Sequence, residues 1–174
     1  INKDGNVDFF VTDMMSQSHV LQKTQMGTML PTSLSIGEID NRPQYMHNTL
    51  FLNRGDHTFS EISQFSNTHA SEWSWSSMFM DVDLDGNEDI LITTGHMYDV
   101  QDSDSNQKQK DALRHIKSFD EYKRMIFEFP TLELKNIAFH NQGNLKFKAV
   151  PDAWGLGHKK DISHGMAAAD LDND

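Results

Sequence analysis

The stretch Asp81–Asp89 has acidic side chains at alternate positions, then a glycine and a closing carboxylate, and no other segment constrains the fold of this chain as strongly. Ca²⁺ takes about six to eight oxygen ligands, and a tight turn at Gly86 would aim several carboxylates at one point. An EF-hand needs an acid at the twelfth position of its loop, but the twelfth residue from Asp81 is Ile92. The β-branched run Ile90–Thr94 instead favours a strand. The sequence therefore predicts a calcium-binding loop that leads into a strand.

The acidic loop occurs in three copies, and its neighbours repeat with it. Ile1–Asp8 matches the loop from its second position onward, and Asp170–Asp174 matches its first five positions. Asn48–Phe59 pairs with Asn136–Phe147 at a constant offset of 88 residues. A repeat on this scale indicates supersecondary units that are stacked or arranged radially.

The composition excludes several classes of partner and site. With 15 Lys+Arg against 26 Asp+Glu, the net charge is −11. We therefore expect no nucleic acid partner, and bound cations would relieve part of the self-repulsion. The absence of cysteine excludes a disulfide framework and thiolate metal sites. No apolar run approaches the ~18 to 20 residues of a membrane-spanning helix, so no membrane span is expected in this segment.

Short apolar segments between the loops predict antiparallel strands. The second unit has four of them, at Trp75–Met80, Asp89–Thr94, Asn136–His140 and Lys146–Val150. The first unit lacks the opening strand and has the second, third and fourth, at Val7–Thr12, Thr49–Leu52 and Thr58–Ile62. The third unit offers only Gly165–Ala169. Four antiparallel strands per repeat are typical of the blades of a β-propeller. We therefore expect an all-β fold: a fragment of a β-propeller, about two four-stranded blades, with a helical insertion.

The repeat divides the chain into three parts. Residues 1–72 are interpreted as a partial blade with a Met-rich insertion, residues 73–151 as a complete blade, and residues 152–174 as the start of the next blade. One complete blade and two partial blades cannot close a ring. The expectation is that the chain is a slice of a longer propeller, whose remaining blades are its partners.

Each of the first two units carries a long insertion between its second and third strands. The first insertion contains methionines that suit either an adaptable binding surface or gap-filling beneath a loop. They are Met14, Met15, Met26, Met29 and Met46. The second insertion, about residues 99–135, includes Gln107–Phe129, which lacks Gly and Pro and precedes Pro130. This pattern predicts one amphipathic helix on the propeller rim. Its apolar face would consist of Leu113, Ile116, Phe119, Tyr122 and Ile126.

Taken together, these segments resemble the FG-GAP/VCBS repeat family. The motifs that carry the resemblance are Asn48–Asn53, Gly55, Thr58-Phe59, Phe10–Met14, Trp73-Ser74-Trp75, Asp81–Asp89, Asn141, Gly143 and Phe147. Within that family the chain is similar to bacterial members that are related to cartilage acidic protein and often carry a C-terminal ASPIC/UnbV domain. The resemblance implies an integrin-α-like propeller whose loops bind Ca²⁺ structurally, in a protein exported to the cell surface.

The resemblance also implies a set of calcium ligands in each loop. In the second loop, they are side-chain oxygens of Asp81, Asp83, Asp85 and Asp89 and the main-chain carbonyl of Asn87. In the first loop, they are Asn2, Asp4 and Asp8, with a carbonyl from Asn6. In the third loop, they are Asp170, Asp172 and Asp174. The first loop lacks its opening acid and the third its closing acid, so both are expected to bind Ca²⁺ more weakly than in the parent chain.

The sequence contains none of the familiar catalytic signatures. It has no GxSxG elbow, HExxH, P-loop, GxGxxG or cysteine nucleophile. Trp73 and Trp75 suit either stacking on a sugar ring or packing between blades. The favoured interpretation is a non-catalytic binding or adhesion module, extracellular or at the cell surface or outer membrane, with a protein or glycan ligand. The alternative is the non-catalytic part of a polysaccharide-active or other hydrolytic enzyme whose active residues lie outside this segment.

Overall fold

Strands alternate with short helices and long loops along the chain. The structure is a computed structural model that describes residues 1–25, 46–150 and 152–171. Its strands are β1 (Phe9–Val11), β2 (Thr49–Asn53), β3 (Phe59–Glu61), β4 (Ser74–Met80), β5 (Asp89–Thr94), β6 (Ile137–Asn141) and β7 (Phe147–Ala149). Its helices are α1 (His19–Thr24), α2 (Ser63–Ser66), α3 (Ser103–Leu113) and α4 (Phe119–Ile126), with a 3₁₀ turn at Ala153–Gly155. Within these ranges, no helix has the length and apolar character needed to cross a lipid bilayer.

Strands β4 to β7 form one antiparallel sheet in chain order. The register places Ile90 of β5 opposite Phe79 on one side and Phe139 on the other. Ile90 and Ile92 project from the same face, because side chains alternate along a strand, and both are fully buried. All four predicted strands of the second unit are confirmed, with ends that shift by one residue at most.

Strands β1, β2 and β3 form a three-stranded antiparallel sheet. Phe10 lies opposite Leu50, and Leu52 lies opposite Ser60. These strands correspond to β5, β6 and β7 of the larger sheet. The two sheets confirm the expected all-β fold class, a partial β-propeller with a few short helices. The boundaries of the three parts inferred from the sequence stay a prediction.

The main hydrophobic core lies between the two sheets. Its buried members are Leu50, Ile90, Ile92, Ile137, Phe139 and Phe147. Phe10, Ile62 and Phe79 pack against this cluster. Burial of one such side chain contributes about 1.5 to 3 kcal/mol. The core therefore fixes the ends of β5 and β6, which carry residues of the second acidic loop and its surroundings.

The prediction of one helix over Gln107–Phe129 is wrong, because the insertion forms α3 and α4 with a turn between them. Ser118 is the N-cap of α4, and its hydroxyl accepts a hydrogen bond from the Glu121 N–H. Glu121 in turn accepts a hydrogen bond of 2.8 Å from the Lys117 N–H. This arrangement is close to a capping box, which starts a new helix. The Ser-x-x-Glu pattern thus interrupts a stretch without Gly or Pro.

The apolar face expected of that helix is also wrong. Leu113, Phe119 and Tyr122 are exposed, whereas Met125 and Phe129 are buried. Because the helix is interrupted at residues 114–118, side chains before and after the interruption no longer lie on one helical face. The side chain of Ile126 lies outside the described part of the structure.

A second, smaller core joins the two insertions to the start of β4. It consists of buried Trp73, Leu132 and Leu134, with Met14 and Leu21 packed against them. Beside it, the Gln25 side-chain amide donates to both carboxylate oxygens of Asp99, at 3.3 and 3.2 Å. The described ends of the two insertions therefore contact each other through apolar and polar side chains.

The strand predicted at Gly165–Ala169 is wrong, because these residues pair with none of the described strands. A strand needs a partner for its backbone N–H and C=O groups. The Ser163 N–H still donates to the Thr94 carbonyl at 2.9 Å, and the chain then runs mostly exposed. Met26 and Met29 of the first insertion lie outside the described residues.

Candidate metal centres in the acidic loops

The second acidic loop connects β4 to β5 and closes on a buried carboxylate. Asp89 is the first residue of β5 and is fully buried. Its Oδ1 accepts a 2.8 Å hydrogen bond from the Asn141 N–H, and its Oδ2 accepts a 3.1 Å hydrogen bond from the Val82 N–H. The closing acid of the loop is therefore attached to the end of β6 and to the start of the loop.

The carboxylates of Asp81 and Asp85 are held by the backbone of the loop itself. The Asp81 carboxylate accepts hydrogen bonds from the N–H groups of Asp85, at 3.1 Å, and Gly86, at 2.8 Å. Gly86 has φ of +85°, a left-handed conformation that glycine adopts without steric cost. Asp85 accepts a 2.7 Å hydrogen bond from the Asn87 N–H, which holds the pKa of the Asp85 carboxyl below its ordinary value. The backbone of the turn thus stabilises the ionised form of the Asp85 carboxyl.

Two overlapping clusters of potential ligand atoms result. Carboxylate oxygens of Asp81, Asp83 and Asp89 lie within 4.8 Å of one another. A second cluster within the same limit joins Asp83 and Asp85 to an imidazole nitrogen of His140. Of the four acidic side chains named by the sequence, Asp81, Asp83 and Asp89 are therefore brought together, whereas Asp85 joins Asp83 only in the second cluster. The predicted contribution of Asn87 is a main-chain carbonyl, and it stays a prediction.

The donor chemistry of the first cluster fits a calcium ion. All its potential side-chain ligand atoms are carboxylate oxygens, the donors that hard cations such as Ca²⁺ prefer. Each oxygen of Asp81 and Asp89 accepts one N–H hydrogen bond. A carboxylate has about four acceptor sites, so these bonds leave capacity for a metal ion.

The first acidic loop has the same hydrogen-bond pattern. The Asn6 N–H donates to Asp4 at 2.8 Å, which lowers the pKa of the Asp4 carboxyl as Asn87 does for Asp85. The Asn53 N–H donates to Asp8 at 2.8 Å, as Asn141 does for Asp89. The repeat seen in the sequence is therefore present also in the backbone hydrogen bonds of the two loops.

The first loop offers fewer charged ligands than the second loop. Asn2 takes the position of Asp83, and its side-chain amide donates to Asp4 at 2.9 Å. The Oδ2 atom of Asp8 forms an ion pair with the Ile1 amino group at 2.8 Å. Asn2, Asp4 and Asp8 therefore carry two carboxylates, where the second loop has four.

The two described loops are neighbours in space. A Cβ atom built on Gly86 would lie 3.4 Å from the Lys3 ammonium, and the Asn141 side-chain amide donates to the Ile1 carbonyl at 3.4 Å. A cationic side chain of the first loop thus lies beside the acidic second loop. In the third loop, Asp170 is exposed near the end of the described range, while Asp172 and Asp174 lie outside the described residues.

The sequence interpretation assigned no role at the loop to two residues that lie beside it. Asn141 connects the loop to the β6–β7 turn, because its side chain donates to the Glu88 carbonyl at 3.0 Å and accepts from the Gly143 N–H at 3.0 Å. Asn53 repeats this arrangement with Val7 and Gly55. The signal for it was present in the Asn-x-Gly pattern at an offset of 88 residues. The other missed residue is His140, for which the repeat gave no signal.

Comparison with known proteins supports the repeat interpretation. A family model described as FG-GAP-like repeat matches residues 1–92, more than half of the 174 residues. The matched region includes both described acidic loops and strands β1 to β4. No curated protein and no solved structure matches the chain.

Proposed function

Because this chain belongs to the FG-GAP-like repeat family, we propose that it is a calcium-binding β-propeller segment of an exported or cell-surface protein. It acts as a non-catalytic module that binds a protein or a glycan. Its sequence motifs resemble those of bacterial members of the family that are related to cartilage acidic protein.

The convergence of Asp81, Asp83 and Asp89 within 4.8 Å carries this proposal. Three carboxylates so close together repel one another, and a divalent cation would remove that repulsion. The fixed N–H donors to Asp89 and Asp81 hold the oxygens in place before an ion binds. Repetition of the same backbone pattern in the first loop supports a role that both units share.

Calcium would act on the structure by joining segments that meet at the loop. Asp89 belongs to β5 and is bonded to Asn141 at the end of β6. An ion held by Asp81 and Asp89 would therefore connect the end of β4 to β5 and, through Asn141, to β6. Binding to the folded form alone stabilises it by RT ln(1 + [L]/Kd).

Partner contacts would fall on the insertions, because the loop carboxylates are taken up by the ion. The second insertion exposes large apolar side chains at Phe119 and Phe127. Exposed aromatic residues are common at binding surfaces. Long connections of this kind are where rigid scaffolds usually place their functional segments.

The proposal is tested by screening the intact protein against glycans and surface proteins with calcium and with a chelator. The screen is repeated with residues 103–126 replaced by a short turn, a change that leaves Leu132, Leu134 and Asp99 in place. Binding should depend on calcium and should be lost in the replacement, while calcium affinity stays unchanged. A Phe119→Ser, Phe127→Ser double variant tests the surface without removing the helices. Unchanged binding in both variants, or turnover of a polysaccharide, would contradict the proposal.

A further inference from the structure

His140 lies beside the second acidic loop and directs a ring nitrogen at it. Its Nε2 is 3.3 Å from Asp83 Oδ2 and 3.6 Å from Asp85 Oδ2. This nitrogen is shielded from solvent, and in the described part of the chain it has no hydrogen-bond partner of acceptable geometry. The distance to Asp83 is short enough for a hydrogen bond, so the orientation of the groups is what prevents one.

The ring is placed by its position in the fold. His140 belongs to β6, between Phe139, which is buried in the main core, and Asn141, which is bonded to the loop. Trp154 packs edge-to-face against the imidazole, with ring centroids 5.8 Å apart. The strand and the indole therefore hold the imidazole beside the carboxylates of Asp83 and Asp85.

A cluster of one imidazole nitrogen and two carboxylates has a different metal preference from an all-oxygen cluster. Imidazole suits borderline ions such as Zn²⁺, whereas Ca²⁺ takes oxygen ligands. Zn–N and Zn–O distances of about 2.0 to 2.2 Å in tetrahedral geometry place two ligand atoms about 3.3 to 3.5 Å apart. The separations of His140 Nε2 from Asp83 and Asp85 are close to this range.

The first unit provides an internal comparison. Leu52 takes the position of His140 at the offset of 88 residues. In the acidic loops, where the offset is 81 residues, Asn2 takes the position of Asp83. The first loop therefore lacks both the nitrogen donor and one of the carboxylates. A mixed nitrogen and oxygen site is thus specific to the second loop, whereas the backbone pattern is common to both.

We propose that Asp83, Asp85 and His140 form a subsite for a borderline divalent transition-metal ion, adjacent to the calcium cluster of the same loop. The subsite rests on the proposed function, since the two clusters share Asp83. His140 Nε2 supplies the nitrogen ligand, Asp83 and Asp85 supply one oxygen each, and solvent completes the coordination. The loop then responds to two kinds of ion.

Zinc is the probe for this subsite. Zinc affinity of the intact protein is measured by competition with a chromophoric chelator, with calcium present at saturation, for wild type, His140→Leu and His140→Gln. His140→Leu introduces the side chain found in the first unit, and His140→Gln keeps a polar group. His115→Leu, at an exposed histidine of the second insertion, controls for zinc bound elsewhere. Nitrogen-detected NMR of the His140 ring reports coordination directly.

We expect both His140 variants to lose at least about tenfold in zinc affinity, since loss of even an outer-shell partner of a metal site costs about 10- to 100-fold. The His115 variant should match wild type, and zinc should shift the His140 Nε2 resonance. Calcium titration of the His140 variants should match wild type. Equal zinc affinity in wild type and both His140 variants would overturn the subsite. Absence of any calcium response, with zinc binding still dependent on His140, would instead refute the proposed calcium function.

Discussion

Replacing Asp89 by alanine separates the structural role of this carboxylate from its role toward a metal ion. Asp89 is fully buried, and its two oxygens accept hydrogen bonds from the N–H groups of Asn141 and Val82. Alanine would leave both donors without this partner. The protein should therefore lose stability even when a chelator keeps calcium away.

The size of the effect follows from the two hydrogen bonds. Hydrogen bonds to a charged group contribute about 1.5 to 3 kcal/mol each, so Asp89→Ala should cost about 3 to 6 kcal/mol. The bond from Asn141 is buried and lies at the upper end, whereas the bond from Val82 is partly exposed and lies at the lower end. Total stabilities of about 5 to 15 kcal/mol make this a large loss.

Asp83→Ala is the matched control in the same loop. Asp83 is exposed, and among the described residues its carboxylate accepts no backbone N–H hydrogen bond. Without calcium, its replacement should change stability by less than about 0.5 kcal/mol. With calcium, both variants should lose the stabilisation that the ion gives wild type.

Urea denaturation of the intact protein, in chelator and in calcium, measures both effects. The midpoint of Asp89→Ala should fall in both conditions, and the midpoint of Asp83→Ala only in calcium. If Asp89→Ala is as stable as wild type in chelator, the argument that this carboxylate anchors the loop to β6 is wrong.

Three further predictions concern the core, the insertions and the loop. Phe139→Ala should cost about 3 to 5 kcal/mol in denaturant unfolding, because Phe139 is fully buried in the main core. Burial raises the pKa of Asp99 above its ordinary value of 3.8, because burial disfavours the ionised carboxylate. The folded state therefore loses stability as pH rises through the raised pKa and Asp99 ionises. The melting temperature of Asp99→Asn minus that of wild type should therefore be larger at neutral pH than below pH 3.8. In calorimetry, Asp85→Ala should weaken calcium binding far more than Asp104→Ala, whose side chain lies on α3.

The strands were predictable because their signal is local. Ile90–Thr94 is a mostly β-branched run that follows a turn, and β5 spans Asp89–Thr94. The hairpin of β6 and β7 follows from the repeat of the first unit. The break between α3 and α4 was also readable, in Ser118 and Glu121, but the absence of Gly and Pro outweighed this signal in the interpretation.

The acidic side chains of the site were predictable from the sequence, whereas the residues of β6 that contact them were not. Asp81, Asp83, Asp85 and Asp89 are close in sequence, so a turn is enough to bring them together. His140 is 51 residues from Asp89 in the chain and reaches the loop only because β6 pairs with β5. No local pattern encodes that contact. Sheet register decides it, and register depends on the packed core.

Calcium titration of the intact protein tests the central claim most directly. Calorimetry should detect binding, and thermal melts should shift upward with calcium, since an ion at about 100 times its Kd stabilises the folded state by about 2.7 kcal/mol. Asp83→Ala should remove the shift, and Asp104→Ala should keep it. Absence of both the binding heat and the melting shift in wild type would contradict the assignment of the Asp81–Asp89 loop as a calcium site.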